Sequence, residues 1–158
     1  AIRREAPEQW DPADPDPYRS FGRALHAILA RVRTIKDLPE AVAIESAIWG
    51  LDAKTAAAVK VELHAILSRP DLAPFFGEEL VIHTETTLID AQGHSVRPDR
   101  IVQDGDAIRI LDIKTGAPSE HHEEQVRGYC GLLGEIEGRS VDGYLLYVKD
   151  GAMVKVSQ

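Results

Sequence analysis

An apolar segment that ends in two charged residues constrains the fold of this chain more than any other feature. Residues 108–116 read IRILDIKTG, with Ile or Leu at both strand parities. Such a segment is typical of a strand buried on both faces, as in the centre of an α/β domain. Asp112 and Lys114 share one face of this strand because alternate side chains point the same way. The sequence therefore predicts a central strand that presents an acid and a base where it ends.

The remaining elements follow the pattern of an α/β fold, with a mixed sheet flanked by helices and a helical N-terminal region. Apolar spacing and strand composition predict three helices, three strands, a fourth helix and two more strands. Ser20 is the predicted N-cap of the first helix, and Gly50 is predicted to end the second. The predicted segments are 20–34, 38–50 and 53–69 (helices), 78–90, 95–103 and 107–115 (strands), 120–138 (helix), and 141–149 and 152–157 (strands).

The beginning of the chain differs from the rest in composition. Residues 1–19 contain four prolines interspersed with acidic residues, which is typical of a linker or an irregular lead-in. We expect one domain over residues 20–158, a length sufficient to bury a core. A start without methionine indicates a piece of a longer protein.

Charge, cysteine count and hydropathy exclude some functions and leave others open. The formal net charge of −8 argues against a broadly basic nucleic-acid-binding surface, but not against a site where carboxylates hold a metal ion. The single cysteine, Cys130, excludes an internal disulfide framework and favours a cytoplasmic location. No apolar run approaches the ~18 residues that span a membrane, so we expect no membrane association.

A hairpin is predicted to bring a second carboxylate beside Asp112. The sequence Asp104-Gly105-Asp106 is a strong turn signal between the second and third strands. With a loop of residues 104–105, Asp99 lies diagonally next to Asp112, and with a loop of residues 105–106 it lies directly opposite. Both registers place Asp99 on the face of Asp112, whereas a loop of odd length would not.

Two interpretations of this charged group differ in what balances the acids. A surface ion pair with Lys114 or Arg100 is common in proteins and contributes little stability. Two adjacent carboxylates, however, repel each other unless they are protonated or neutralised by a cation. Oxygen donors suit Mg²⁺ and Mn²⁺, and a lysine beside such an ion can orient a water nucleophile and stabilise phosphate charge. The group therefore indicates metal-dependent hydrolysis of phosphodiesters.

Four short motifs in this order resemble the RecB-type branch of the PD-(D/E)xK nucleases. That branch has GxxxH on an early helix, then (G/P)(x)DR, D(Y/F/I)KTG and a helical QxxxY. Here the corresponding segments are GRALH at 22–26, PDR at 98–100, DIKTG at 112–116 and QVRGY at 125–129. The branch is found at the C-terminal end of UvrD/AddA-type helicase–nucleases and in AddB proteins. The resemblance spans roughly residues 20–149.

This resemblance implies a restriction-endonuclease-like fold and a deoxyribonuclease of the exonuclease type. The substrate would be DNA, and the partner would be the helicase portion of the same polypeptide or complex, acting in recombination and double-strand break repair. One or two Mg²⁺ or Mn²⁺ ions are implied. Some members hold an iron–sulfur cluster with four cysteines, and we expect none in this chain because it has one cysteine. The implied catalytic residues are Asp99, Asp112 and Lys114; the metal ligands are His26, Asp99, Asp112 and the backbone carbonyl of Ile113; the supporting or DNA-binding residues are Gln125 and Tyr129.

Several other residues have two interpretations each. Glu85 is the best candidate for a further metal ligand, although it could equally face solvent, as could its competitor Glu79. Arg100 and Arg127 are predicted phosphate contacts that could equally form surface ion pairs. Pairing with a site carboxylate is expected for Arg97. His121 and His122 are predicted to lie at a solvated helix N-terminus, and Cys130 in the core.

Two other functions compete with the nuclease interpretation. The first is a catalytically inactive nuclease fold that binds or scaffolds DNA, although the intact acids and Lys114 argue against it. The second is a metal-dependent hydrolase of small phosphate esters.

Overall fold

A mixed sheet of five strands separates two layers of helices in the computed structural model, which describes residues 17–158. The predicted lead-in up to residue 16 lies outside the described residues. In chain order the elements are α1 (Pro17–Arg31), α2 (Leu38–Trp49), α3 (Ala53–Leu67), β1 (Val81–Thr84), β2 (Leu88–Ile89), β3 (Ser95–Val96), β4 (Arg100–Asp104), β5 (Ala107–Lys114), α4 (Glu120–Glu137), β6 (Asp142–Tyr147) and β7 (Ala152–Val156), with 3₁₀ helices at Ile35–Asp37 and Pro70–Phe75.

The sheet has the order β1-β4-β5-β6-β7, and only the β5–β6 pair is parallel. That pair is parallel because α4 provides the crossover connection that parallel neighbours require. Strands β2 and β3 form a separate antiparallel ladder. The predicted mixed sheet with flanking helices and a helical N-terminal region is confirmed, and it agrees with a restriction-endonuclease-like fold.

Strand β5 lies at the centre of the sheet and contributes to both cores, as its sequence predicted. Leu111 and Ile113 pack with α1, α2 and α3 on one face. Ile108 and Ile110 pack with Val126 and other residues of α4 on the opposite face. The burial of both faces fixes the path of β5 and therefore the positions of the polar residues at its end.

The structure corrects three details of the predicted elements. Helix α1 begins at Pro17, so Ser20 is inside its first turn rather than at the cap; proline is favoured at the first helical position because it has no N–H to satisfy there. The predicted strand 78–90 is broken at Glu85, whose φ is +56°. The predicted strand 95–103 is broken before Arg100, where Pro98 has no N–H to donate to a ladder.

Two other predictions concern the end of α2 and a membrane-spanning segment. Gly50 adopts the left-handed conformation with φ +70° and ends α2, as predicted. No helix within residues 17–158 is both long enough and apolar enough to cross a membrane.

Candidate active site

The β4–β5 hairpin brings Asp99 and Asp112 together, as predicted. Asp104 pairs with Ala107, so the loop consists of residues 105–106, and the ladder ends at the Arg100–Leu111 pair, one residue from Asp99 and Asp112. The Asp99 backbone N–H donates to Asp112 Oδ1 at 3.4 Å, and the Ile113 N–H donates to Asp99 Oδ2 at 2.7 Å. Because the backbone of each strand holds the acid of the other, the two carboxylates are fixed side by side.

Lys114 is held in position by two acceptors. Its Nζ lies 2.8 Å from Asp112 Oδ2 and donates to Gln125 Oε1 at 2.7 Å. Asp112 and Lys114 are on the β5 face that α4 covers, so Gln125 reaches the lysine from the helix. An ammonium has three donors, and these contacts use two of them. The described contacts therefore leave one donor of Lys114 for a water molecule or a phosphate oxygen.

His26 reaches the same point from α1. Its Nδ1 lies 2.9 Å from the Gly22 carbonyl oxygen, and its Nε2 lies 2.7 Å from the Ile113 carbonyl oxygen and 3.4 Å from Asp99 Oδ2. Gly22 allows this approach, because a Cβ there would lie 3.0 Å from Thr115 Oγ1. The glycine thus allows α1 to lie close to the turn that follows β5.

Burial and mutual contacts shift the pKa values of all three titratable groups His26, Asp99 and Asp112. Burial and the charge of Asp99 raise the pKa of Asp112 to about 7, although Lys114 acts against them. Burial would lower the pKa of His26, but the hydrogen bond and charge of Asp99 and two backbone carbonyls raise it to about 9. Burial likewise opposes ionisation of Asp99, but its contacts with His26 hold the pKa below the usual value.

These residues fit a hard divalent cation in donor type and partly in arrangement. His26 Nε2, Asp99 Oδ2 and the Ile113 carbonyl oxygen surround one point, and the Asp112 carboxylate is adjacent. Within residues 17–158 no three His, Cys, Asp or Glu side chains already converge as a complete set of metal ligands. The backbone carbonyl supplies the third donor, and a divalent cation would replace the proton of His26, since ligation requires the neutral imidazole.

Comparison with known proteins then identifies the fold family. The sequence profile of the PD-(D/E)XK nuclease superfamily matches residues 2–156. The chain belongs to this superfamily. Membership implies a nuclease that uses divalent metal ions.

Two further comparisons add little to this assignment. The crystal structure of SSO0001 aligns with 86% of this chain and with 66% of its own length, at 22% identity and a TM-score of 0.39. No curated protein sequence matches the chain significantly. The superfamily assignment therefore depends on the profile match.

Glu85 lies beside the nuclease cluster but contacts a different partner. Its Oε2 is 3.0 Å from the Arg97 guanidinium, and its backbone N–H donates to the Asp99 carbonyl oxygen at 3.1 Å. Arg97 thus pairs with a carboxylate of the site region, and both residues line a cavity together with His26 and Asp99. Glu79 is exposed. The participation of Glu85 in metal binding stays a prediction.

The structure contradicts a phosphate-binding role for Arg100. This side chain is only 1% exposed and donates to the carbonyl oxygens of Phe75 (2.8 Å), Leu29 (3.2 Å) and Val32 (2.6 Å). Its guanidinium also stacks on the Phe76 ring at 3.9 Å. Arg100 is the first residue of β4, and its side chain points into the core under α1, away from the cluster that contains Asp99. It therefore connects the end of α1 to the 3₁₀ helix at Pro70–Phe75.

The residues of α4 divide between the site and the core. Gln125 contacts Lys114. Tyr129 is 5% exposed and packs in the core under α4, so its burial is compatible with a supporting role. Arg127 lies two residues from Gln125 on another helix face and donates to the Ser157 carbonyl oxygen at 3.5 Å. The structure therefore does not bring Arg127 to the cluster. Cys130 is in the core, as predicted.

The prediction of solvent exposure is wrong for one of the two adjacent histidines. His121 is exposed, but His122 is half-buried and its Nδ1 lies 3.0 Å from the Tyr147 hydroxyl. Tyr147 is the ladder partner of Lys114, so this pair borders the end of β5 that carries the site.

A polar group between α1 and α2 was not predicted from the sequence. Glu45 is buried and accepts from Arg31 Nε at 2.5 Å and from Trp49 Nε1 at 2.9 Å. The i, i+4 spacing of Glu45 and Trp49 was a visible signal for their contact. The third member was not visible, because Arg31 meets them only through the packing of two helices.

Proposed function

We propose that this chain is a metal-dependent deoxyribonuclease that hydrolyses phosphodiester bonds of DNA with Asp99, Asp112 and Lys114 as its catalytic residues. The observation that carries the proposal is the position of Lys114, which is held between Asp112 and Gln125 directly beside the paired acids. A structural ion pair would require neither the second acid nor the histidine that closes the group.

In this proposal the donors that hold the metal come from three elements. His26 of α1, Asp99 before β4, and Asp112 with the Ile113 carbonyl on β5 would bind one or two Mg²⁺ or Mn²⁺ ions. When bound, the ion supplies positive charge that neutralises the phosphate and promotes the ionisation of water. The raised pKa of Asp112 supports this assignment, since a buried carboxyl group beside a second carboxylate favours a site that gains a cation.

The proposed contribution of Lys114 is orientation and charge. Asp112 and Gln125 fix the direction of its ammonium, and the remaining donor would hold the attacking water or a phosphate oxygen. Gln125 would act as a positioning residue through the lysine, and Tyr129 would support α4 from the core. Glu85 would lie at the margin of the metal site as a further ligand, with its carboxylate paired to the Arg97 guanidinium.

The biological context is proposed at a coarser level. The four motifs at residues 22–26, 98–100, 112–116 and 125–129 favour the RecB-type branch. We infer from them an exonuclease module attached to a helicase portion of the same polypeptide or complex, which acts in the cytoplasm in recombination and double-strand break repair.

A cleavage assay tests the proposal directly. The protein is incubated with single-stranded and duplex DNA and Mn²⁺ or Mg²⁺, alongside Asp112→Ala and Lys114→Ala. We expect cleavage by the wild type and its loss in both variants, with Lys60→Ala as a control because Lys60 is exposed on α3, a helix that contributes no residue to the cluster. If the wild type and the two site variants give equal products, the catalytic assignment is wrong.

A panel of small phosphate esters separates the nuclease proposal from a more general phosphoesterase. We expect turnover of oligonucleotides and no comparable turnover of monoesters. Preferential turnover of the small esters would replace the proposed substrate class.

A further inference from the structure

We propose that His122 is a positioning residue for Lys114. Its contact with Tyr147 fixes the start of α4, and Gln125 in the next turn then holds the lysine in the site. This inference rests on the proposed nuclease function, because it assigns a further residue to the same reaction. His122 lies outside the four short motifs, and its Nδ1 is 3.0 Å from the Tyr147 hydroxyl. The contact joins α4 to β6, the strand next to the one that carries Lys114.

Two side-chain contacts connect the start of α4 to neighbouring strands of the sheet. The Lys114 Nζ donates to Gln125 Oε1 at 2.7 Å, and His122 meets the Tyr147 hydroxyl. Lys114 of β5 and Tyr147 of β6 are ladder partners, so their side chains leave the same face of the sheet side by side. His122 and Gln125 are three residues apart and therefore share one face of the helix. The two contacts thus hold the same segment of α4.

The part of α4 that carries Gln125 precedes the packed part of the helix. Within α4, whose residues the structure describes in full, the first buried residue is Val126. The connection from β5, residues 115–119, has no regular structure and is mostly exposed. A cavity of about 380 Å³ borders Tyr147 and the first turn of α4, and residues of β7 also line it. Side-chain hydrogen bonds, rather than a packed core, therefore set the position of this turn.

The direction of the Lys114 ammonium depends on this turn because the lysine side chain is long and flexible. Its ammonium contacts Asp112 and Gln125. If the start of α4 moves, the Gln125 amide moves with it, and the ammonium keeps only its contact with Asp112. A misplacement of about 1 Å can lower a rate about 100-fold. Loss of the His122 contact should therefore lower turnover more than affinity, because the imidazole acts through Gln125 and not on the substrate.

Steady-state cleavage of DNA with Mg²⁺ tests this role with matched substitutions. His122→Phe keeps a ring and a similar helix propensity but has no nitrogen near the Tyr147 hydroxyl. We expect kcat to fall about 10-fold while KM changes less than about 2-fold. His122→Asn has a polar atom at the position of Nδ1 and should retain most of the rate. His121→Phe changes a neighbouring side chain that is 90% exposed, and this control should cleave as the wild type does.

A double-mutant cycle separates positioning from a general structural role. If His122 acts through Gln125, His122→Phe should lower kcat less than about 2-fold in Gln125→Ala, where the lysine has already lost its contact. Equal losses with and without Gln125 would overturn the proposal, as would a wild-type kcat or a change confined to KM. Tyr147→Phe removes only a hydroxyl and repeats the cycle if His122→Phe fails to fold. Tyr144→Phe, on the opposite face of β6, is its control.

The side-chain amide of Gln125 provides a readout that needs no cleavage. In the metal-free protein its NMR signals, assigned by their absence in Gln125→Ala, should shift in His122→Phe and Tyr147→Phe but not in His121→Phe. Unchanged signals in the first two variants would show that His122 does not position Gln125. If no DNA is cleaved in Mn²⁺ or Mg²⁺ but the signals shift, the nuclease function is lost and the positioning of Gln125 stands. If DNA is cleaved and neither the signals nor kcat changes, the nuclease function stands and the role of His122 is wrong.

Discussion

Asp99 and Arg100 are adjacent in the sequence, yet they enter two charge clusters of opposite kind. The Arg100 cluster consists of Arg100, the carbonyl oxygens of Leu29, Val32 and Phe75, and the ring of Phe76. The carboxylate cluster consists of His26, Asp99, Asp112 and Lys114. One backbone step separates them: Asp99 precedes β4 and Arg100 begins it, and consecutive side chains of an extended chain point to opposite faces of the sheet.

The difference between the clusters is whether their interactions are complete. In the Arg100 cluster a buried guanidinium donates to three carbonyl oxygens, two of them at the end of α1, where a helix favours positive charge. In the carboxylate cluster the pKa of Asp112 is raised to about 7, since its buried carboxyl group lies beside Asp99. The first cluster therefore stabilises the fold, whereas the second is suited to gain a cation. The following predictions separate these two roles.

The largest expected effect is on cleavage by the carboxylate cluster. Asp112→Asn should lower the cleavage rate by about 10³-fold, because the cation loses a donor and Lys114 loses an anchor. Its free energy of unfolding at neutral pH should fall by less than ~1 kcal/mol, since the ionised carboxyl group is already disfavoured. Initial cleavage rates and urea unfolding measure the two quantities. A variant as active as the wild type would show that Asp112 has no catalytic role.

The next effect is on stability and comes from the Arg100 cluster. Arg100→Ala should lower the free energy of unfolding by about 3–5 kcal/mol, because three buried carbonyl oxygens lose their donor. Urea unfolding measures the change, and Arg127→Ala is the matched control, with one long hydrogen bond and an expected loss below ~0.5 kcal/mol. Similar losses in both variants would show that burial of Arg100 contributes little.

In EDTA, the shifted pKa values of the carboxylate cluster should make the free energy of unfolding depend on pH. The pKa of His26 is raised from 6.5 to about 9, so its contribution is complete below pH 6.5 and is lost as the pH rises through 9. The pKa of Asp112 is raised from 3.8 to about 7, so its contribution is lost as the pH rises through 7.

The metal-free protein should therefore lose roughly a few kcal/mol of stability between pH 5 and pH 9. Urea unfolding across this range measures the loss, and His26→Gln should remove its upper part. A divalent ion should reverse the trend, because ligation requires the deprotonated forms. Stability that rises with pH in EDTA would contradict the assigned charges.

The smallest effect concerns the packing of α1 against the site. Gly22→Ala should favour helix α1 by roughly 1 kcal/mol in propensity, yet it places a Cβ 3.0 Å from Thr115 Oγ1. We expect unchanged stability with cleavage reduced about 3- to 10-fold, since a small displacement of His26 matters for chemistry more than for folding. Thr115→Ala in the same chain should restore the rate. If Thr115→Ala does not restore the rate, Gly22 does not affect cleavage through its approach to Thr115.

The sequence predicts what depends on local pattern and misses what depends on packing between elements. Alternation along residues 108–116 predicts a strand buried on both faces, and an even hairpin loop predicts Asp99 beside Asp112, as observed. The break at Glu85 was missed because composition does not show where two strand pairs diverge, whereas Pro98 was a visible signal for the second break that the predicted strand did not take into account. Arg100 was misassigned because the three carbonyl oxygens that bury it are distant in sequence.

The same limit applies to the polar group between α1 and α2. Residues Glu45 and Trp49 share a helix face in the sequence, but their contact with Arg31 exists only after two helices pack. The site residues that lie in short motifs could thus be predicted from the sequence. The residues that surround the site could be identified only from the folded structure.

The carboxylate cluster is proposed to hold a divalent cation. Anomalous scattering from a crystal soaked in Mn²⁺ tests it most directly, with Asp112→Asn crystals as the control. We predict a peak bounded by His26 Nε2, Asp99 Oδ2 and the Ile113 carbonyl oxygen, next to the Asp112 carboxylate and with Lys114 still in contact with Gln125. A peak elsewhere, or none at saturating Mn²⁺ at pH 8, would contradict the account.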